Sequence, residues 1–198
     1  MTGSFTPNSV DLRGFSKCEP MFSVKELTAF LDRLEGVQGS PLARQAAKHV
    51  IDNAASPREA ELAMLLTLPR RLGGYGLPKP RLNYQLDLSA PRGSALNRSS
   101  IIIDFAWPES KLALEYDSDQ FHTGAEKIAA DSERRNDIKL LGYDVQTVTN
   151  KEISSIGKTD KIAKSVASKL GVRIRNEGDG FVEKQARLRR TLIKLRSI

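Results

Sequence analysis

The sequence has little of the chemistry that many small proteins rely on, with one cysteine, Cys18, and two histidines, His49 and His122, in 198 residues. A single cysteine excludes a disulfide within the chain and is typical of a reducing compartment, which predicts a cytoplasmic protein. So few cysteines and histidines argue against a zinc cluster. A metal site in this chain would therefore use oxygen ligands, which favours Mg²⁺ or Mn²⁺.

Long hydrophobic runs are also absent. No stretch approaches the roughly 18 apolar residues that cross a bilayer, and residues 1–7 do not show a basic segment followed by an apolar one. We therefore expect no membrane partner. Hydrophobic residues make up 39% of the chain, which is enough for a modest core. The length predicts one domain, alone or with a helical appendage.

Acidic and basic residues are unevenly distributed. The net charge is +7 at pH 7, and residues 158–198 alone carry twelve Lys and Arg against four Asp and Glu. Such a basic segment favours a polyanionic partner and predicts nucleic-acid binding. A basic RNA-binding structural protein would have the same charge. Charge alone therefore does not separate an enzyme from a binding protein.

The pattern of apolar residues and breakers predicts an α/β fold: a mixed central sheet flanked by helices, with N-terminal helices and a basic C-terminal helix. We expect a loose segment over 1–22, a helical appendage over 23–55, a core over 56–172 and a tail helix within 173–198. The predicted helices cover residues 23–34, 40–53, 56–69, 124–141, 158–170 and 181–195, and the predicted strands cover 82–88, 101–105, 112–117 and 143–148.

Two apolar segments in the core predict a hairpin. Residues 101–105 and 112–116 are rich in the branched and aromatic residues that favour strands. Pro108 lies between them and lacks the N–H that a strand ladder needs, so it predicts a turn.

The hairpin would bring acidic residues together. If it is centred between Glu109 and Ser110, Asp104 lies directly opposite Glu115, with Cβ atoms about 4.5–5.5 Å apart. Alternation places Asp117 on the same face as Glu115. Opposed carboxylates repel each other inside apolar strands, and a divalent cation between them would remove that cost. The pattern therefore indicates a metal site, the alternative being a sheet face whose acids point into water.

The order of several motifs resembles a known family. An acid, an acid pair and a histidine precede a helix with Asp and Arg, after which Gly-Tyr-x-Val leads into a strand. In order, these are Asp104, Glu115, Asp117, His122, Asp131, Arg134, Gly142, Tyr143 and Val145. The set resembles the very-short-patch-repair-like endonucleases of the restriction-endonuclease-like superfamily, whose signature is PD-(D/E)xK. Upstream, Ser56-Pro57-x-Glu59 and Gly76-Leu77-Pro78 resemble the variant at the C-terminus of abortive-infection-type proteins. The resemblance covers residues 56–148.

This resemblance implies a restriction-endonuclease-like fold and a Mg²⁺-dependent (or Mn²⁺-dependent) hydrolase of nucleic-acid phosphodiesters. Carried over to this chain, Asp104 and Glu115 would be metal ligands, and Glu59 would reach the site from the helix before the sheet. Asp117 stands where the signature has its lysine, and His122 stands where a histidine recurs in the family. All five residues are therefore candidate catalytic residues.

Two of the candidate side chains also have a structural interpretation. Glu59 lies three residues after Ser56, the spacing at which a glutamate caps the start of its own helix. Arg134 would face the site and bind nucleic acid if the family pattern holds, or would simply pair with Asp131 one turn away on the same helix.

Basic residues of the last predicted helix are further candidates for nucleic-acid binding: Arg187, Arg189, Arg190 and Lys194. They alternate with an apolar stripe, so they could equally be the solvated face of a packing helix.

Together these features predict a metal-dependent endonuclease, with DNA as the favoured nucleic acid, in DNA repair or phage defence. The alternative is a catalytically silent nuclease-fold protein that binds DNA or a partner protein in a defence or toxin–antitoxin system. A third hypothesis, an RNA-binding structural protein, does not explain three acids on one sheet face. The protein partner and oligomeric state are left open, and a homodimer is compatible with the sequence.

Overall fold

The computed structural model describes residues 3–7, 15–88, 99–117, 125–174 and 180–196, without the side chains of 125–128 and 193–196. In chain order, the elements are β1 (Phe5–Pro7), β2 (Phe15–Lys17), α1 (Val24–Asp32), α2 (Ser40–Ala47), α3 (Pro57–Thr67), a 3-10 helix (Arg70–Leu72), β3 (Arg81–Asp87), β4 (Ser100–Trp107), a 3-10 helix (Pro108–Ser110), β5 (Leu112–Asp117), α4 (Ala125–Leu140), β6 (Asp144–Thr149), α5 (Asn150–Ile153), α6 (Ile156–Lys169) and α7 (Phe181–Arg196).

Contacts divide the chain into two compact units. The first, here called the terminal unit, combines Met1–Leu82 with Asn176–Ile198. The second, the sheet unit, is the continuous segment Asn83–Arg175. From the sequence we expected α3 to belong to the same core as the sheet and the tail helix, α7, to be separate. The contacts instead group α3 and α7 in one unit.

The terminal unit begins with a small sheet where we expected a loose segment. β1 and β2 pair in antiparallel fashion, with Phe5 opposite Lys17 and Pro7 opposite Phe15. The rings of Phe5 and Phe15 meet edge to face at 5.7 Å. Strands of three residues are too short to show the alternation from which strands are predicted.

The helix starts of this unit follow the sequence signals. At the start of α1, Ser23 Oγ accepts the Glu26 N–H at 3.2 Å, and the Glu26 carboxylate accepts the Ser23 N–H at 2.7 Å, which completes a capping box. α2 starts at Ser40 as predicted but ends at Ala47, earlier than predicted. There the Val50 N–H bonds to the carbonyl of Ala47, three residues back, which tightens the chain out of the α-helix.

α7 packs against α3 and the first 3-10 helix. The guanidinium of Arg70 lies 3.6 Å from the centre of the Phe181 ring, and the Tyr75 ring meets the same ring at 5.4 Å. The chain passes α7 so closely at Gly73, where φ is +92°, that an added Cβ would collide with the Lys184 carbonyl oxygen. A side chain at this position would therefore separate α7 from the 3-10 helix.

The sheet unit carries a four-stranded sheet in the order β3-β4-β5-β6. β4 and β5 form the predicted antiparallel hairpin, with Phe105 opposite Leu114 and Trp107 opposite Leu112. That register centres the hairpin between Glu109 and Ser110, as predicted. β5 and β6 are parallel, and α4 lies between them in the chain, as a parallel connection requires.

Helices lie on both faces of this sheet. One face forms an apolar cluster with α4 that contains Ile103, Ala113, Ile138, Tyr143 and, half-buried, Val145. Gln146 follows Val145 on β6 and so points to the opposite face, where its side chain accepts a hydrogen bond at 3.0 Å from Ser165 of α6. The predicted mixed sheet flanked by helices is thus confirmed.

Some boundaries differ from the prediction. The helix expected over 158–170 begins earlier, at Ile156, where the Ser155 hydroxyl accepts the Lys158 N–H. The short helix α5 before it was not predicted. Within the described residues, no helix is both long and apolar enough to cross a membrane.

Candidate functional site

Asp104 and Glu115 meet at the open end of the hairpin. The Asp104 N–H donates to Glu115 Oε1 at 3.3 Å, and the Tyr116 N–H donates to Asp104 Oδ2 at 2.8 Å. Each carboxylate is therefore held by a backbone N–H of the neighbouring strand. The predicted encounter of the two acids is confirmed.

The strand is irregular at this point. The regular pairing of β4 with β5 covers Phe105–Trp107 of β4 and does not include the adjacent Asp104. Ile103 and Ala106 belong to one apolar cluster although they lie at odd and even positions, so the alternation of β4 shifts by one residue between them. Such a shift is the property of a β-bulge, which re-aims side chains. Here it leaves Asp104 on the face of Glu115 while Ile103 stays in the core.

A basic side chain of α4, Arg134, also contacts this pair of acids. The Arg134 guanidinium forms an ion pair with Glu115 Oε2, and its other terminal nitrogen donates to the carbonyl of Ile102 at 2.9 Å. The side chain of Arg134 keeps 30% of its surface exposed, whereas that of Glu115 keeps 4%. The sequence left open whether Arg134 faces the site or pairs with Asp131, and the structure places it at the site, against Glu115.

Glu115 is electrostatically unusual. Burial, followed by the charge of Asp104, raises the pKa of Glu115 to about 7, while Arg134 acts in the opposite direction. A buried carboxyl group whose pKa is raised toward neutrality beside a like charge is typical of a functional site.

The remaining predicted acids differ in position. Asp117 is the last residue of β5, is half-buried and pairs in register with Thr149 of β6. It follows Glu115 by two residues and so lies on the same face of the sheet. His122 falls outside the described residues, and its catalytic role stays a prediction.

Glu59 belongs to the terminal unit and caps its own helix. Its carboxylate accepts the Ala55 N–H at 3.0 Å and the Ser56 hydroxyl at 2.8 Å, and its N–H donates to Ser56 Oγ at 3.2 Å. The side chain is buried, and these local bonds explain why a carboxylate is tolerated there. This geometry favours the capping interpretation over the catalytic one.

The basic residues of α7 point in different directions. Arg187 and Arg190 are exposed, so their guanidinium groups can reach a ligand. Arg189 is buried, and burial lowers its pKa while Tyr75 and Glu61 act to raise it. That position suits packing within the terminal unit and does not favour the predicted contact of Arg189 with nucleic acid. The side chain of Lys194 is not among those described.

The carboxylates of Asp104 and Glu115 are donors that a hard divalent cation prefers. Mg²⁺ commonly uses one or two carboxylates and completes its shell with water or substrate oxygens, which matches Asp104 and Glu115. No group of three or more acids, histidines or cysteines able to hold a metal occurs within the described residues. Two backbone groups also contact the candidate side chains: the Tyr116 N–H donates to Asp104, and the Ile102 carbonyl accepts from Arg134. No sequence signal marks such backbone contacts, so sequence analysis could not find them.

Comparisons with known proteins add little detail. No family model matches the chain, and no solved structure matches it. It is similar to two proteins of Mycobacterium tuberculosis, uncharacterized protein MT2308 of strain CDC 1551 and uncharacterized protein Rv2248 of strain H37Rv, each 29% identical over 110 residues. The match covers 56% of this chain and 36% of each relative, so the chain spans about a third of the length of the proteins it matches.

Proposed function

We propose that this chain is a Mg²⁺-dependent, endonuclease-like hydrolase of nucleic-acid phosphodiesters that acts on DNA. The observation that carries the proposal is the buried Glu115 beside Asp104, on a sheet whose neighbouring strands fix both carboxylates. A fold gains no stability from such a pair, because like charges and desolvation both oppose it. A role in binding a cation explains why the pair is present.

The chain order of the elements supports the restriction-endonuclease-like fold that the family resemblance implied. A helix, three strands, a helix and a further strand follow one another from α3 to β6. The two acids lie on adjacent strands of that run, one on β4 and one on β5. The resemblance predicts the same arrangement of motifs.

In the proposed reaction, the candidate side chains have separate roles. Asp104 and Glu115 would bind the metal, which would activate a water molecule and neutralise charge on the phosphate. The N–H groups of Asp104 and Tyr116 hold the two carboxylates in place. Asp117 lies on the same face, and His122 would move a proton as general acid or base. Exposed Arg187 and Arg190 would contribute charge for binding the backbone.

Metal binding gives the first test. Mn²⁺ or Mg²⁺ should raise the melting temperature of the wild type, because a ligand that binds only the folded state stabilises it. Asp104→Asn should lose this response, whereas Asp160→Asn, which changes a surface acid paired with Lys164, should retain it. Equal metal responses in the wild type and Asp104→Asn would contradict the proposed site.

Nicking of supercoiled plasmid with Mg²⁺ or Mn²⁺ gives the second test. The wild type and Asp160→Asn should nick DNA, and Asp104→Ala should not. Loss of nicking in Asp104→Ala with an unchanged far-ultraviolet spectrum would assign the reaction to this site. Activity that persists in Asp104→Ala would contradict it.

A second candidate function is a catalytically silent nuclease-fold protein that binds DNA or a partner protein. Arg134 favours this candidate, because its guanidinium already supplies a positive charge to Glu115. A wild type that binds DNA but cleaves neither DNA nor RNA with either metal would support this alternative.

A further inference from the structure

Arg134 and a metal ion would compete for the same oxygen. Glu115 has two carboxylate oxygens, of which Oε1 accepts the Asp104 N–H and Oε2 pairs with Arg134. A cation that binds Glu115 through Oε2 must therefore replace the guanidinium. Two positive charges cannot share that oxygen without strong repulsion in a buried setting.

The contacts of Arg134 indicate which partner would move. Glu115 is enclosed, and the N–H of Asp104 fixes its carboxylate from the neighbouring strand. Arg134 is partly exposed, and its second contact is a single hydrogen bond to the Ile102 carbonyl, on an exposed residue. A long side chain with a path to solvent can withdraw, whereas the glutamate cannot.

We propose that Arg134 is a built-in counter-cation of the Asp104–Glu115 pair, which neutralises Glu115 before a divalent cation binds and releases it when the cation arrives. This inference rests on the proposed metal site and concerns how that site is regulated. Arg134 is in this sense a positioning residue. It reduces the cost of burying the two acids, and it sets the metal concentration at which the site is occupied.

Mn²⁺ affinity, measured by isothermal titration calorimetry, tests the competition without any activity assay. Arg134→Gln removes the competitor, so Mn²⁺ should bind roughly tenfold more tightly than to the wild type, a ratio that corresponds to about 1.4 kcal/mol. Arg134→Lys keeps the charge but loses the planar guanidinium that reaches two acceptors. The affinity of this variant for Mn²⁺ should therefore lie between those of the wild type and Arg134→Gln. Arg135→Gln removes the same charge from the adjacent position of α4 and should leave the affinity unchanged.

The metal-free melting temperature supplies a second readout. Arg134→Gln should melt at a lower temperature than Arg135→Gln without metal, because it leaves Glu115 buried beside Asp104 without a cation. Saturating Mn²⁺ should then restore more stability to Arg134→Gln than to the wild type. A lower melting temperature with unchanged or weaker Mn²⁺ affinity would overturn the inference and leave Arg134 a structural ion pair. Should Arg134→Gln fail to fold, unchanged affinity in Arg134→Lys would overturn it equally.

One comparison separates failure of this inference from failure of the proposed function. Asp104→Asn should lose Mn²⁺ binding whatever Arg134 does. Equal Mn²⁺ binding by the wild type and Asp104→Asn would overturn the metal site, and with it the role of Arg134 as a competitor. Loss of binding in Asp104→Asn with no gain in Arg134→Gln would overturn only the inference.

Discussion

Glu59 of the terminal unit and Glu115 of the sheet unit are both buried, and they show how differently the same side chain can be used. Glu59 keeps 8% of its surface exposed, and its carboxylate accepts a backbone N–H and the Ser56 hydroxyl at its own helix start. Glu115 keeps 3% exposed, lies beside the like charge of Asp104 and depends on Arg134 for a counter-charge. Local donors compensate the desolvation of the first carboxylate, whereas the second retains much of its cost.

Burial therefore does not by itself mark a functional acid. What distinguishes Glu115 is that its neighbours include another acid and a cation from a distant part of the chain. A capping glutamate stabilises the fold, while an acid pair opposes it and requires another reason to be present. The following predictions test this distinction, from the largest expected effect to the smallest.

The largest contrast should appear in catalysis. Glu115→Gln should abolish Mg²⁺-dependent plasmid nicking, because it removes a charged metal ligand without changing shape. Glu59→Gln should leave nicking near the wild-type rate and instead lower stability by roughly 1 kcal/mol, as expected for a weakened helix cap. Nicking rates and thermal melts of both variants check this, and a folded but inactive Glu59→Gln would break the comparison.

His122 should have the next largest effect. It follows β5, which carries Glu115, and an unperturbed histidine titrates near neutral pH, where it can act as acid or base. His122→Ala should lower the cleavage rate about 10²–10⁴-fold, the usual range for losing such a group. Full activity in His122→Ala would remove this role and leave the two metal ligands unaffected.

The raised pKa of Glu115 predicts a pH dependence of stability. In the folded state the pKa of Glu115 is about 7, compared with 4.5 for an ordinary glutamate, so between these pH values the folded state keeps a proton that the unfolded state has lost. The resulting stabilisation is complete below about pH 4.5 and is lost as the pH rises through about 7. The wild type should therefore gain stability relative to Glu115→Gln, by at most a few kcal/mol, between pH 8 and pH 5.

Urea unfolding of both proteins without metal, at several pH values, measures that difference. Glu59→Gln is the matched control, since its carboxyl group is satisfied by local donors. A wild type and Glu115→Gln whose free energies of unfolding change in parallel from pH 8 to pH 5 would show that Glu115 titrates as an ordinary acid.

The smallest effect concerns the charge of α7. Changing exposed Arg187 and Arg190 to Gln should weaken DNA binding and reduce the salt slope by roughly 2, because two phosphate contacts are lost. Arg189→Gln should lower the melting temperature and leave the slope unchanged. Filter-binding or fluorescence titrations at several salt concentrations check this. A reduced slope in Arg189→Gln alone would reverse the assignment of the buried and exposed arginines.

The encounter of Asp104 and Glu115 could be predicted from the sequence because it depends on local features. Pro108 fixes the turn, the flanking residues favour strands, and a hairpin register then determines which residues face each other. The capping role of Glu59 was predictable for the same reason, since the cap and the glutamate are three residues apart. The apolar alternation of β3 likewise predicted a strand whose residues share one cluster with α4.

What could not be predicted depends on contacts between distant segments. Arg134 reaches Glu115 because α4 crosses one face of the sheet. The spacing of Arg134 favoured Asp131, and the family resemblance implied that Arg134 faces the site without indicating which residue it would contact. The burial of Arg189 follows from the packing of α7 against α3, more than a hundred residues earlier in the chain. The shift in the alternation of β4 beside Asp104 has no sequence marker such as glycine.

The packing of α7 against α3 has a consequence for synthesis on the ribosome. The sheet unit is one continuous segment, whereas the terminal unit needs residues from both ends of the described chain. The sheet unit can fold while translation continues, but the terminal unit must wait for α7. Until then, α3, whose Leu62, Leu65 and Leu66 are fully buried in the folded structure, lacks its contact with α7. Apolar surface that is exposed during this interval is prone to aggregation, and chaperones bind such surface.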